Sequence, residues 1–298
     1  AQPRGLLRRG NERRLVPWRG LAEGRRRYLP FRHRETRGAW PVFPGRLVGS
    51  AAVSCHYLEV WPVHTWVLLA CLALPAAPAV PVDGLVAEFQ FEEGGARRPV
   101  DASGLGQQAR SAGVERVRGH GGWGLRFAEA GSVVRVASRP SLSLDRAITL
   151  EAWVLPGPIS DESRVIIAKN DEYLLRIDKA SEGGRVSFFV HVGSPGVTWE
   201  PRVSSVGPIS PGVWHHIAGT WDGRKLRLYV DGDAQGEVDR SGSPNPNPYP
   251  VMIGNFEYPS CHGGAFGGAI DEVRIYQRAL RPEEVRQGAR EGQPQPAE

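Results

Sequence analysis

The sequence predicts an all-β protein, a two-sheet antiparallel jelly-roll β-sandwich preceded by a disordered leader. Apolar and polar residues alternate with a period of two in several short segments, which is typical of half-buried strands. Turn-forming pairs such as Asp222-Gly223 and Pro211-Gly212 separate these segments. The one convincing helix is predicted from Arg281 to Gln287, with Pro282 in its first turn. Many strands and one short helix indicate two packed sheets.

The predicted strands occur at intervals along the chain from Phe89 onward. Their alternating apolar positions are Phe89 and Phe91; Val134 and Val136; Ile148, Leu150, Ala152 and Val154; and Leu226, Leu228 and Val230. Because successive side chains of a strand point to opposite faces, each set is expected to face the core between the two sheets.

An acidic residue interrupts this pattern in the last predicted strand. Asp271 is in phase with Val273 and Ile275, so it is expected on the inner face, where an unpaired carboxylate is costly. Arg274 is out of phase and is expected on the opposite face. A Ca²⁺ ion, which accepts carboxylate and backbone carbonyl oxygens in flexible geometry, is therefore the predicted partner of Asp271. An ordinary hydrogen-bonded or salt-bridged aspartate is the alternative.

Positive charge is concentrated at the N-terminus. The first 50 residues contain 13 arginines and 3 glutamates, and the whole chain has a net charge of +5, so the remaining residues carry −5. Nucleic-acid binding by the folded part is therefore not expected. The predicted regions are an Arg-rich disordered or non-native extension over 1–57, a signal-peptide-like hydrophobic segment over 58–80, the sandwich over 81–288 and a disordered tail over 289–298.

The hydrophobic segment has the features of a signal peptide. Residues 66–74 are apolar and uncharged, and the triplet Ala77-Pro78-Ala79 that follows is typical of a cleavage site. The apolar run is short for a membrane span, so cleavage and export to the extracellular space or the cell envelope are predicted, with an uncleaved anchor as the alternative. Cys261 would then be the one cysteine left, so no intrachain disulfide is expected. A mature domain without disulfides suits a bacterial exported protein about as well as any other.

Five segments occur in an order that is informative when they are taken together. They are FQFEEGG with VDASG (Phe89–Gly95 and Val100–Gly104), GWGLRFAEAGSVVRV (Gly122–Val136), TLEAWVLP (Thr149–Pro156), GVWHHIAGTWDGRKLRLYVDG (Gly212–Gly232) and FGGAIDEVRIYQRALRPEEV (Phe266–Val285). Together they resemble the laminin G-like, concanavalin A-like jelly-roll domains over roughly residues 84–287. That resemblance implies a β-sandwich that is commonly extracellular, often binds Ca²⁺ and recognises carbohydrate or a protein partner, usually without catalysis of its own.

The resemblance also extends the predicted calcium site. Asp101, in VDASG, matches a position where related domains often place a second acidic ligand, and Glu92 is a third candidate. Because the first and last strands of a sandwich can lie side by side, Asp101 and Glu92 are expected near Asp271.

The predicted function is that of an exported, non-catalytic binding module. Carbohydrate or a glycoprotein is the favoured ligand, and a protein-binding adhesion domain is the alternative. Four aromatic residues in predicted loops are the candidates for stacking on a ligand: Trp199, Tyr249, Phe256 and Tyr258.

A glycoside hydrolase is the second alternative. Glu88, Gln90 and Glu92 share one face of the first predicted strand, and glycosidases on this type of fold can use an E-x-D-x-E strand as acid and nucleophile. Here the middle acid is a glutamine. Carboxylates at positions i and i+4 of a regular strand are also farther apart than the roughly 5–5.5 Å that a retaining enzyme needs. Catalysis is therefore not expected.

Overall fold

The structure, a computed structural model, describes residues 83–96, 98–193, 199–256 and 264–291. In these ranges the chain forms two antiparallel sheets that enclose one large apolar core, as the sequence predicts. The predicted extension 1–57 and hydrophobic segment 58–80 lie outside the described residues, as do residues 292–298 of the predicted tail 289–298. Within the described ranges, no helix combines the length and the apolar character needed to span a membrane.

Eight strands form the first sheet. They are β1 (Leu85–Phe89), β3 (Glu115–Arg118), β4 (Trp123–Phe127), β6 (Ile148–Pro156), β11 (His215–Trp221), β12 (Lys225–Val230), β13 (Asp233–Asp239) and β15 (Gly268–Tyr276). Their order across the sheet is β13, β12, β11, β6, β15, β4, β3. β1 also pairs with β15, so β4 and β1 follow each other along the edge of β15 that faces away from β6.

Seven strands form the second sheet. They are β2 (Ala109–Ala112), β5 (Val133–Val136), β7 (Arg164–Lys169), β8 (Tyr173–Ile177), β9 (Arg185–Val190), β10 (Val203–Pro208) and β14 (Val251–Ile253). Their order is β10, β9, β8, β7, β14, β5, β2. Two short 3-10 helices, Pro140–Leu142 and Ala180–Glu182, lie in the connections.

The core between the sheets contains the apolar positions that the sequence predicts. The predicted residues buried in this one cluster are Phe89, Phe91, Val134, Val136, Ile148, Leu150, Ala152, Val154, Leu226 and Leu228. Val230 is partly buried and packs against the same cluster. The period-two alternation therefore identifies the inner face correctly in these segments.

An α-helix, α1 (Pro282–Gly288), follows the last strand, and it begins and ends one residue later than predicted. The Glu284 side chain accepts a hydrogen bond of 2.8 Å from the Arg281 backbone N–H, which satisfies a donor at the start of the helix. Val285 anchors α1 in a small apolar cluster with Tyr276 on the outer face of the eight-stranded sheet.

The prediction that Asp271 faces the core is wrong because β15 contains a bulge. Its pairing with β6 shifts register between Asp271 and Arg274, and Glu272 has a left-handed φ of 45°. The extra residue changes the phase of the side chains, so Ile270 and Val273 both lie in the core although they are three positions apart. Asp271 consequently lies on the outer face of the eight-stranded sheet, and Arg274 lies on the same face, as the sequence predicts for Arg274.

Candidate functional site

An aromatic surface lies on the outer face of the seven-stranded sheet. In β9, Phe188 and Val190 face the core, so Phe189 and the following His191 face outward. Trp199 packs edge-on against Phe189, with ring centroids 6.4 Å apart, and its ring centroid lies 5.1 Å from that of His191. Trp199 remains partly exposed. These contacts fix the orientation of its ring.

Two arginines border this group of rings. The guanidinium carbons of Arg176 and Arg202 lie 4.9 Å and 5.4 Å from the centroid of the Phe189 ring. Both guanidinium groups also pair with the carboxylate of Glu182, at 3.1 Å and 3.3 Å. An aromatic ring beside charged donors and acceptors can cover the C–H face of a sugar and bind its hydroxyl groups. The Trp199 surface is defined as Trp199, Phe189, His191, Arg176, Arg202 and Glu182.

The other predicted stacking residues have different environments. Phe256 is 3% exposed and belongs to a buried cluster with Leu174 and Phe189, against which Trp199 also packs. Phe256 is therefore a buried member of the cluster on which Trp199 packs, and its ring is not accessible for stacking on a ligand. Tyr249 lies in the loop before β14, where its backbone N–H donates to Asn247 Oδ1 at 3.0 Å. Tyr258 lies outside the described residues.

Asp271 holds the turn between β3 and β4. Its Oδ2 accepts the backbone N–H groups of His120 at 2.9 Å and Gly121 at 3.5 Å, and its Oδ1 accepts that of Glu272 at 2.8 Å. Burial and the neighbouring Glu272 carboxylate raise the pKa of Asp271 to about 7, although the N–H donors favour the charged form. Asp271 thus positions the turn through hydrogen bonds.

Glycines allow this turn to approach the carboxylates closely. A Cβ atom at Gly119 would overlap the carboxylate of Asp271, and one at Gly122 would overlap that of Glu92. Glu92 Oε1 accepts the backbone N–H of Trp123 at 2.7 Å. The structure therefore brings two predicted calcium ligands, Glu92 and Asp271, to the same turn, where both serve as hydrogen-bond acceptors.

Asp101 makes its hydrogen bonds elsewhere. It accepts the backbone N–H groups of Gln107 at 2.8 Å, Glu88 at 3.0 Å and Ser103 at 3.0 Å, and the hydroxyl of Ser103 at 2.9 Å. Against the effect of burial, these donors hold the pKa of Asp101 below its ordinary value.

These carboxylates do not fit the predicted calcium site. Calcium needs roughly six to eight oxygens that converge on one point, whereas N–H donors already occupy the three acids. Among the residues that the structure describes, no three His, Cys, Asp or Glu side chains are arranged to hold a metal ion. Calcium binding stays a prediction of the family resemblance.

Glu88 and Glu92, the alternative catalytic pair, do not share a strand face. β1 ends at Phe89, and Phe91 has a left-handed φ of 55°. Glu88 is buried and accepts a hydrogen bond of 3.0 Å from Arg274, whereas Glu92 is exposed. The two carboxylates therefore lack the arrangement of an acid and a nucleophile on one strand.

Sequence reasoning missed the charged cluster around Arg274. The Arg274 guanidinium contacts the carboxylates of Glu88 at 3.0 Å, Glu272 at 3.1 Å, Glu151 at 3.2 Å and Glu291 at 3.5 Å. Burial lowers the pKa of Arg274, but these carboxylates, Glu151 foremost, raise it above its ordinary value overall. The out-of-phase position of Glu151 in β6 was the available signal. The pairing of Glu151 with Arg274 could not be predicted, because the bulge in β15 shifts the register in which β15 pairs with β6.

A family model described as the concanavalin A-like lectin/glucanases superfamily matches residues 128–286. The human adhesion G-protein coupled receptor D1 is 34% identical over 113 residues, which cover 35% of this chain and 12% of the receptor. The similarity thus concerns a small part of that receptor.

Among the solved structures that share the fold, two illustrate the similarity at low sequence identity. The binding domain of Botulinum neurotoxin DC, in complex with rat synaptotagmin II, has a TM-score of 0.56 and 12% identity, covering 71% of this chain and 52% of its own. Domain 4 of AbnA, a GH43 extracellular arabinanase from Geobacillus stearothermophilus, in complex with arabinotriose, has a TM-score of 0.52 and 19% identity, covering 69% of this chain and 98% of its own. At these identities the likeness establishes the fold.

Proposed function

Because the chain belongs to the concanavalin A-like lectin/glucanases superfamily, we propose that it is a non-catalytic binding module with a carbohydrate ligand. The arabinanase domain was solved with arabinotriose, which supports carbohydrate as the first ligand class. The toxin domain was solved with a protein, which supports a protein surface as the alternative.

The geometry of the Trp199 surface is the main support for this proposal. Trp199 is held by Phe189 and His191 before any ligand arrives, so little side-chain entropy is lost on stacking. Arg202 and Glu182 retain 26% and 28% of their side-chain exposure, so both remain accessible to ligand hydroxyl groups. A sugar stacked on Trp199 would find donors and acceptors within the same surface.

Binding of the purified full chain to a glycan array, with and without Ca²⁺, tests the proposal. We expect wild type to bind at least one class of glycan and Trp199→Ala to lose that signal. Trp214→Ala is the matched control, because Trp214 is also partly exposed but precedes β11 in the other sheet. It is expected to keep the signal.

Two outcomes would redirect the proposal. If no glycan binds and a pull-down from the native host recovers one protein, the protein-binding alternative is favoured. If the chain releases reducing sugar from soluble β-glucans and this release requires Glu88 and Glu92, the module is an enzyme and the non-catalytic proposal is wrong.

Export is part of the proposal and rests on the hydrophobic segment and its Ala77-Pro78-Ala79 triplet. N-terminal sequencing of the protein from its native host is the direct test. We expect a mature N-terminus near Val80, and a mature chain that begins at Ala1 would contradict export by this signal.

A further inference from the structure

A cleft opens at one end of the sandwich. Residues 138–145, which precede β6, form one wall, residues 246–248, which precede β14, form the other, and Gln277 follows β15 at its border. The cleft has a volume of about 670 Å³, within the range of roughly 300–1,000 Å³ that is usual for small-molecule sites. None of its lining residues belongs to the Trp199 surface.

A buried ion pair fixes both walls of the cleft. The side chains of Lys169 and Glu172 are in direct contact and fully buried. Lys169 Nζ donates to Ser143 Oγ at 3.2 Å in the first wall, and to the backbone oxygen and Oδ1 of Asn247 at 2.7 Å and 3.0 Å in the second. Glu172 accepts the backbone N–H groups of Leu144 at 2.6 Å and Asn247 at 3.0 Å. The cleft is therefore preformed, which lowers the entropic cost of binding.

Three polar side chains along the cleft make no polar contact that stabilises the described part of the fold. Arg139, Asp145 and Gln277 are exposed, and their side chains make no hydrogen bond or ion pair with the residues that the structure describes. They supply a planar donor, an acceptor and an amide that does both. From this set on rigid walls, we infer that the cleft is a second binding site, which takes a short neutral carbohydrate through its hydroxyl groups.

The chemistry of the walls favours this ligand class. Each sugar hydroxyl both donates and accepts, so neighbouring hydroxyls match the donor Arg139 and the acceptor Asp145. Pro140, Pro246 and Pro248 add rigid apolar C–H surface to both walls, against which the C–H face of a sugar can pack. The opposite charges of Arg139 and Asp145 offset each other and disfavour a polyanion or a polycation. A free amino acid, with one charge of each sign, is the competing class.

Ligand-observed NMR on the full chain tests the second site. The probes are neutral mono-, di- and trisaccharides, including arabinotriose, and free glycine and alanine. The variant combines Arg139→Ala, Asp145→Asn and Gln277→Ala, all at exposed positions, in a Trp199→Ala background that removes the first surface. We expect Trp199→Ala alone to keep binding at least one short saccharide, and the combined variant to bind it at least about tenfold more weakly, since several hydrogen bonds are lost.

The outcomes separate the two sites. If the combined variant binds every saccharide as well as Trp199→Ala does, or if Trp199→Ala alone abolishes all saccharide binding, the second site is wrong and the Trp199 surface is unaffected. If the cleft binds glycine or alanine and no saccharide, the inferred ligand class is wrong. If Trp199→Ala changes no affinity while the combined variant loses binding, the cleft is supported and the Trp199 surface is contradicted.

Discussion

At the scale of single residues, Asp271 shows how a carboxylate on a sheet face can organise a turn. It accepts three backbone N–H groups, two of them from the turn between β3 and β4. Asp271→Ala removes these acceptors, and we expect the free energy of unfolding to fall by about 1–3 kcal/mol. Urea denaturation measures this change, with Asp161→Ala at an exposed position as the control. Equal stability of the two variants would contradict the role of Asp271.

The sequence could not predict where Asp271 points. Its phase with Val273 and Ile275 is real, but it holds only for a regular strand. The bulge requires a left-handed φ at Glu272, a residue type that rarely adopts it, so no local residue preference signals the change. Tertiary pairing of β15 with β6, β4 and β1 imposes the bulge instead.

The pair of Lys169 and Glu172 gives a second prediction at the residue scale. Glu172→Gln leaves the Lys169 ammonium buried without a countercharge, so the free energy of unfolding should fall by about 3–5 kcal/mol. Chemical denaturation measures the loss. Glu237→Gln, which disrupts the exposed contact with Lys225, is the control and should change stability little. A Glu172→Gln variant as stable as this control would show that the ion pair does not clamp the cleft.

At the scale of elements, α1 is secured at its first turn by Glu284. Two hydrogen bonds from Arg278, at 2.8 Å and 2.9 Å, are the main cause that lowers the pKa of Glu284 to about 2. Because the folded pKa lies below the ordinary value of 4.5, this stabilisation is present above pH 4.5 and is lost as the pH falls toward 2.

The substitution Glu284→Gln tests whether the contact between Arg278 and Glu284 stabilises the protein. Between pH 4.5 and 2 the stability of the variant should fall less steeply than that of wild type, as measured by denaturation at a series of pH values. Glu283→Gln is the neighbouring control, since the Glu283 side chain is 72% exposed. Parallel pH profiles for wild type and Glu284→Gln would contradict the assigned contact.

The sequence identified several elements individually, but it did not predict how the strands pair. The alternation of Leu150, Ala152 and Val154 identified β6 and its inner face, and Pro282 marked the start of α1. The pairing of β15 with two successive strands on one edge depends on contacts between distant parts of the chain. The same limit explains why Arg176 and Arg202 were not recognised as neighbours of the Trp199 ring.

At the scale of the whole molecule, calcium binding remains open to a direct test. If Ca²⁺ binds the folded domain alone, it raises the melting temperature of wild type relative to EDTA by mass action. Because Asp271 is engaged by N–H donors, we expect Asp271→Ala to lower the melting temperature equally in Ca²⁺ and in EDTA. A wild-type calcium response that disappears in Asp271→Ala would show instead that this carboxylate binds the ion.

Composition and periodicity predict the two-sheet sandwich, but they do not predict its binding surfaces. The sequence predicts Trp199 only as a loop aromatic, whereas the environment that distinguishes it from the buried Phe256 is created by the packing of β7, β8 and β9. The cleft likewise depends on one ion pair that joins two walls distant in sequence.

Titration calorimetry tests whether the chain binds carbohydrate through the Trp199 surface. It compares the affinities of wild type, Trp199→Ala and Trp214→Ala for the glycan that binds most strongly on the array. Loss of stacking and of the ordered ring predicts at least about tenfold weaker binding for Trp199→Ala. Trp214→Ala should match wild type. Wild-type affinity in a folded Trp199→Ala variant would show that carbohydrate does not bind through the Trp199 surface.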